Sequence, residues 1–247
     1  MKKILILQMR TENEAAKSEF EAILRVGGLN RDEVHRIRLE QGIPDIDLND
    51  YSAIIAGGSP FDISIPQENK SQAQKDIEVF YDLLFDRVVP EDFPFLGACS
   101  GNGLLGKYCG VSISNKYPEP IGSVDICVTE EGMKDPLLQG LPNVFTALVG
   151  HKEACDNVPT GAVLLATSKP CPVQMFRLKK NIYATQFHPE ADAKEFILRI
   201  KIYKYYGYFR PEKAEELISL VRQTNAPYPR EILKRFVEKY KLPNQYK

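Results

Sequence analysis

Phe93-Pro-Phe-Leu-Gly-Ala-Cys99-Ser-Gly-Asn-Gly103 is an apolar run that ends on a cysteine set between glycines. Such a run, with prolines confined to its start, fits a central parallel strand buried on both faces. Gly97 and Gly101 permit a sharp reversal from that strand into a helix, the elbow that lifts a nucleophile out of a sheet. Cys99 then faces the free N–H groups of the following helix, whose partial positive charge favours thiolate over thiol. By itself the stretch also suits an ordinary buried cysteine in a strand-turn-helix.

A second stretch, Tyr183-Ala-Thr-Gln-Phe-His188-Pro-Glu190, is an apolar strand ending in an imidazole and a carboxylate two positions apart. A cysteine nucleophile needs a base to take its proton, and the base needs a carboxylate to fix its tautomer and direction. His188 and Glu190 supply both. A solvated turn after a strand is the plain alternative for these residues taken alone.

Together with Ala53-Ile-Ile-Ala-Gly57-Gly58-Ser59-Pro60, these motifs resemble the class I glutamine amidotransferases over roughly residues 1–200. The resemblance is strongest to the amidotransferase part of GMP synthetase and its free-standing relatives. It implies a flavodoxin-like α/β fold, with a doubly wound, mostly parallel sheet flanked by helices. It makes Cys99 the nucleophile, His188 the general base and acid, and Glu190 the orienter. Gly57 and Gly58 would form the oxyanion turn, with Gly58 and the Ser100 N–H stabilising the tetrahedral oxyanion. Ala147-Leu-Val-Gly150-His151 is similar to the family's strand ending in a Ser-His pair, which makes Gly150 and His151 pocket-lining; a structural strand-end histidine is the alternative.

The chain departs from the family pattern at Gly103, where a glutamine that helps hold the substrate is usual. Asn102 is a candidate replacement, and the small Gly103 would enlarge the space beside the nucleophile. The polar stretch Ile63 to Gln74 after the glycine turn is a candidate lid, with Asp62 and Glu68 as candidate substrate contacts.

The composition, 247 residues with 43% hydrophobic and 26% charged, allows one substantial α/β core and a small appendage. The order strand (Lys3–Met9), helix (Glu14–Val26), strand (Val34–Arg38), strand (Ser52–Ala56), helix (Ser71–Phe85), strand (Phe95–Ala98), helix (Asn102–Lys107) predicts a doubly wound sheet with reactive residues at carboxyl strand ends. Short β-rich pieces at Gly122–Thr129, Phe145–Val149, Val163–Ala166 and Val173–Leu178 predict a mixed or antiparallel extension of that sheet, before Ile182–Phe187 returns to the core. Residues 201–247 read as a C-terminal helical extension packed on the same domain, with apolar stripes at Ala214, Leu217, Ile218, Val221 and at Ile232, Leu233, Phe236, Val237, Tyr240. The tyrosines at 203, 205, 206 and 208 read as packing or as an interface patch.

No apolar run reaches the roughly 20 residues of a membrane helix, and the apolar amino-terminal stretch is too short for a secretion signal. Five cysteines without a Cys-x-x-Cys pair argue against a disulfide framework or a metal site. A cytoplasmic setting follows as the expectation. The net charge of −1 gives no reason to expect nucleic acid, although from Lys194 onward 13 Lys and Arg face 6 Asp and Glu, net +7 against −8 for the rest. After Gly161 the single glycine is Gly207, so the last third has no glycine-rich phosphate loop. No cofactor is called for.

The expected activity is therefore hydrolysis of the γ-amide of glutamine, with ammonia released or passed to a separate synthetase. A γ-glutamyl peptide hydrolase, using the space at Gly103, and a non-catalytic binding module of the same fold are the alternatives.

Overall fold

The computed structural model describes residues 2–241. A nine-stranded sheet runs through it in the order β2-β1-β3-β4-β11-β10-β9-β6-β7. The first five of these, β2 (Val34–Arg38), β1 (Lys3–Gln8), β3 (Tyr51–Ala56), β4 (Phe95–Ala98) and β11 (Ile182–Thr185), are parallel. The other four, β10 (Met175–Leu178), β9 (Ala162–Thr167), β6 (Glu119–Val128) and β7 (Val144–His151), extend the sheet with antiparallel pairings. The strand order of the parallel half reverses beside β1, and such a switch point opens a crevice at the carboxyl strand ends.

The alternation of side chains along each strand explains why both faces carry helices. Ile4 and Ile6 of β1 pack with Ala53 and Ile55 of β3 against α1 (Asn13–Gly27) and α7 (Pro227–Tyr240). Leu5, Leu7 and Ile54 face the other way, against α2 (Gln72–Glu91) and α3 (Ser100–Tyr108). A strand buried on both faces reads as a continuous apolar run, as Lys3–Met9 does. Ile232, Leu233, Phe236 and Val237 of α7 belong to the same core as α1 and the sheet. A third cluster joins α5 (Ala193–Ile202) and α6 (Ala214–Gln223) to Ile121 and Leu148 at the antiparallel end.

Some boundaries differ from the sequence expectation. The helix expected to end at Phe85 continues to Glu91, with Pro90 inside its last turn and Asp92 closing it at φ 51°. The elbow helix starts at Ser100 rather than Asn102, because Cys99 alone makes the reversal. The strand expected from Val173 starts at Met175, next to a register shift against β9. The small ladder of β5 (Ile113–Ser114) with β8 (Ala154–Cys155), and the short α4 (Glu130–Lys134), carry too few residues for a periodic signal.

Candidate active site

Cys99 follows β4 directly and donates its N–H to Thr185 O at 2.8 Å, so the end of β11 holds it in place. Its backbone lies at φ 52°, ψ −99°, a region costly for a residue with a side chain. The elbow closes because of two glycines: a Cβ at Gly97 would lie 2.7 Å from the Gly101 backbone, and one at Gly101 would lie 3.1 Å from Ala56 O. The first N–H groups of α3, at Ser100 and Gly101, precede any intrahelical acceptor. Ser100 Oγ accepts the Ser59 N–H at 2.9 Å, which ties the glycine turn after β3 to the elbow.

His188 is buried, and its Nδ1 lies 2.9 Å from Glu190 Oε1. The same oxygen accepts Arg199 Nη2 from α5 at 2.8 Å, so the carboxylate is held from two sides. Among the described residues Nε2 of His188 has no hydrogen-bond partner. His188 and Cys99 converge at Gly58: a Cβ there would lie 2.8 Å from His188 Cε1 and 3.5 Å from Cys99 Cβ. Only a residue without a side chain fits between them. Gly57 is pressed instead against the Glu19 carboxylate on the far side of the turn.

Burial lowers the imidazole of His188, aided by Arg199 and Arg10 and opposed by Glu190, which keeps the ring neutral at physiological pH. Despite burial, His188 and Arg199 hold the Glu190 carboxyl far below the usual carboxylate range. Burial pushes the Cys99 thiol up to about 11 against the pull of Arg10 and Arg199. Burial therefore acts against the helix terminus, which is expected to favour the thiolate. Desolvation thus opposes the nearby positive charge at the partly exposed Cys99.

The cleft at Cys99 is lined by Asp62, Ile63, Ser100, Gly103, Gly150 and His151, with Tyr208 over it. Its cavity volume is about 20 Å³, room for a single water. The space expected to open at Gly103 is filled: a Cβ there would lie 2.7 Å from Ile63 Cδ1. Asn102 does not replace the missing glutamine. It is fully buried and its Oδ1 accepts the Cys155 thiol at 3.3 Å, outside the cleft lining. Asp62 lines the cleft and pairs with Lys152 at 2.6 Å, whereas Glu68 is exposed and outside it. Glu153 accepts the N–H groups of Ile63 and Ser64 and so straps the loop after the glycine turn. Tyr208 is packed over the site and donates to Ser59 O at 3.4 Å, while Tyr205 is 80% exposed.

His151 lies at the cleft wall and is also structural. Its Nε2 is 2.6 Å from Glu119 Oε2 and its Nδ1 is 3.0 Å from Glu153 O. The ligand atoms of Glu119, His151 and Cys171 lie within 4.8 Å of one another, a grouping compatible with a metal ion. The Glu119 carboxylate already accepts from Ser168 and Gln174 besides His151, so the grouping serves as a hydrogen-bonded brace.

The residues that sequence reasoning missed are Arg10, Arg199, Lys152 and Glu153, and Ile63, expected in a lid, lines the cleft. Only Arg10 carried a readable signal, since it follows the first parallel strand at the crevice where such sheets place their sites.

The family model "Glutamine amidotransferase class-I" matches residues 15–202. The chain belongs to this family. The family is one of cysteine-nucleophile amidohydrolases. Among its relatives, a glutamine-hydrolyzing GMP synthase subunit from Methanococcus maripaludis strain C6 is 36% identical over 106 residues, 42% of this chain and 54% of that protein. The corresponding GMP synthase subunit from Sulfurisphaera tokodaii is 30% identical over 149 residues, 60% of this chain and 72% of that protein. The chain thus spans about half the length of the Methanococcus relatives it matches. Among solved structures, a glutamine amidotransferase from Thermotoga maritima superposes with a TM-score of 0.69 at 20% identity, covering 96% of this chain and 100% of that one. One from Methylobacillus flagellatus gives 0.70 at 15%, covering 100% and 98%. These likenesses show a shared α/β fold.

Proposed function

We propose that this amidotransferase hydrolyses the γ-carboxamide of glutamine through Cys99, His188 and Glu190, and that a separate synthetase receives the ammonia. The observation that carries the reading is the convergence of the His188 ring and Cys99 on Gly58, with Glu190 bonded to Nδ1 of the ring. His188 takes the thiol proton as sulfur attacks the amide carbon. The oxyanion forms against the N–H groups of Gly58 and Ser100. His188 then hands the proton to the departing nitrogen, leaving a γ-glutamyl thioester and ammonia. Water attacks the thioester with His188 as base, and glutamate and the free thiol result.

The names of the relatives support an ammonia-consuming partner, since several are one subunit of a glutamine-hydrolyzing GMP synthase. Five free cysteines suit a reducing setting such as the cytoplasm, and no described helix is long and apolar enough to cross a membrane. Ile63 in the space opposite Gly103 favours free glutamine over bulkier γ-glutamyl amides, and entry requires the loop carrying Asp62 and Ile63 to shift.

The test is glutamate release from glutamine by the purified chain, with and without synthetase. Cys99→Ala is expected to abolish it while the protein stays folded. Wild-type turnover by Cys99→Ala would overturn the assignment.

A further inference from the structure

We propose that Arg10 is a positioning residue of this site, a permanent cation that stabilises the Cys99 sulfur as an anion. The proposal rests on Cys99 being the nucleophile and adds a residue outside the family's motifs.

Arg10 lies just past β1 and is 3% exposed. Two arms of its guanidinium are anchored: Nε donates to Glu19 Oε2 at 2.6 Å and Nη1 to the Tyr203 hydroxyl at 3.3 Å. The third turns into the site. A Cβ at Gly58 would lie 2.9 Å from Arg10 Nη2, the same point at which His188 and Cys99 converge. Arg10, Cys99, His188 and Arg199 line one cleft together.

The pair of glycines gains a second meaning from this. Gly57 leaves room for the Glu19 carboxylate that anchors Arg10, while Gly58 leaves room for the guanidinium in the cleft that Cys99 lines. Gln8 donates to the other Glu19 oxygen at 2.9 Å and fixes the anchor. Arg199 lies 3.7 Å from Glu19 and 2.8 Å from Glu190, so alternating charges run from the orienting carboxylate round to the nucleophile. A guanidinium stays protonated at every working pH, unlike an imidazole. With His188 neutral at rest, the cation facing the sulfur before the reaction is arginine. The charged and titratable groups facing Cys99 are Arg10 after β1, Arg199 on α5, His188 and Glu190 after β11, Asp62 after β3, and His151, Lys152 and Glu153 at and after the end of β7, with the Tyr208 hydroxyl nearby. Of these the two arginines favour the anion, and Glu190 and Glu153 oppose it.

The experiment is the rate of Cys99 alkylation by iodoacetamide across neutral and alkaline pH, read by peptide mass spectrometry on protein judged folded by circular dichroism. Arg10→Met and Arg10→Gln should react about tenfold more slowly at each pH below the titration midpoint, with the midpoint displaced upward. Arg10→Lys should recover most of the loss. An unchanged pH profile in Arg10→Met, or equal loss in Arg10→Lys, would overturn the proposal. If neither neutral variant folds, Tyr203→Phe removes only the hydroxyl anchor: a two- to threefold slowing supports the proposal and an unchanged profile overturns it. Alkylation needs no substrate, so failure of glutamate release would count against the proposed function and leave this test readable.

Discussion

The molecule buries two histidine–glutamate pairs, His188 with Glu190 and His151 with Glu119, at 2.9 and 2.6 Å. One closes the parallel half of the sheet and the other braces the antiparallel half. Their chemistry differs because of the second ring nitrogen. In His151 both nitrogens are occupied, by Glu119 and by Glu153 O, so neither is left to face a substrate. In His188, among the described residues, only Nδ1 is engaged, and the ring meets Gly58 through Cε1 in a cleft that Cys99 also lines. A short bond to a carboxylate orients an imidazole; only a free second nitrogen lets it move a proton.

The widest separation should come from replacing each histidine by glutamine. His188→Gln should lower kcat for glutamine by about a thousandfold or more with stability little changed. His151→Gln should instead destabilise the fold by about 1–3 kcal/mol, because it leaves buried groups unpaired, while the folded fraction keeps activity within about tenfold. Urea unfolding and glutamate release on the same samples would read both, and equal kinetic losses would erase the distinction.

Smaller effects sharpen it. Because burial depresses the His188 pKa below its ordinary 6.5, the native protein binds fewer protons there than the unfolded chain. Stability should fall as pH drops through 6.5, by at most about 1.4 kcal/mol per unit. The acid limb of kcat/KM should lie below the ordinary imidazole value. A limb at or above 6.5 would mean that His188 is not shielded as its burial implies.

Ile63→Ala should reopen the space beside Gly103 and raise kcat/KM for larger γ-glutamyl amides relative to glutamine, by about tenfold. No change in that ratio would show that Ile63 does not set the pocket. Finally, Cys99→Gly should relieve the positive-φ backbone and stabilise the inactive protein by about 1 kcal/mol relative to Cys99→Ala. Equal melting curves would show that the elbow stores no strain.

What the sequence made legible is what lies close together along the chain. Phe93 to Gly103 contains strand, turn glycines and the proposed nucleophile in one stretch, and Tyr183 to Glu190 contains strand and the proposed base and orienter. Local spacing suffices for each. The Arg10–Glu19–Arg199 chain of charges joins the end of β1 to α1 and α5, and no local pattern links them. The filling of the Gly103 space by Ile63, and the pairing of His151 with Glu119 across 32 positions, likewise arise from the sheet bringing loops together. Thiol acidity escapes a sequence reading for the same reason: a helix terminus is visible in sequence, but the desolvation that acts against it comes from elements that only the fold brings round the cleft, Ile63 and Tyr208 among its lining.

The most direct test is rapid quenching of the wild-type protein during turnover of glutamine, followed by peptide mass mapping. The account predicts one γ-glutamyl group on the peptide carrying Cys99. An acyl group on Cys109, Cys127, Cys155 or Cys171, or glutamate release without any acylated cysteine, would contradict it.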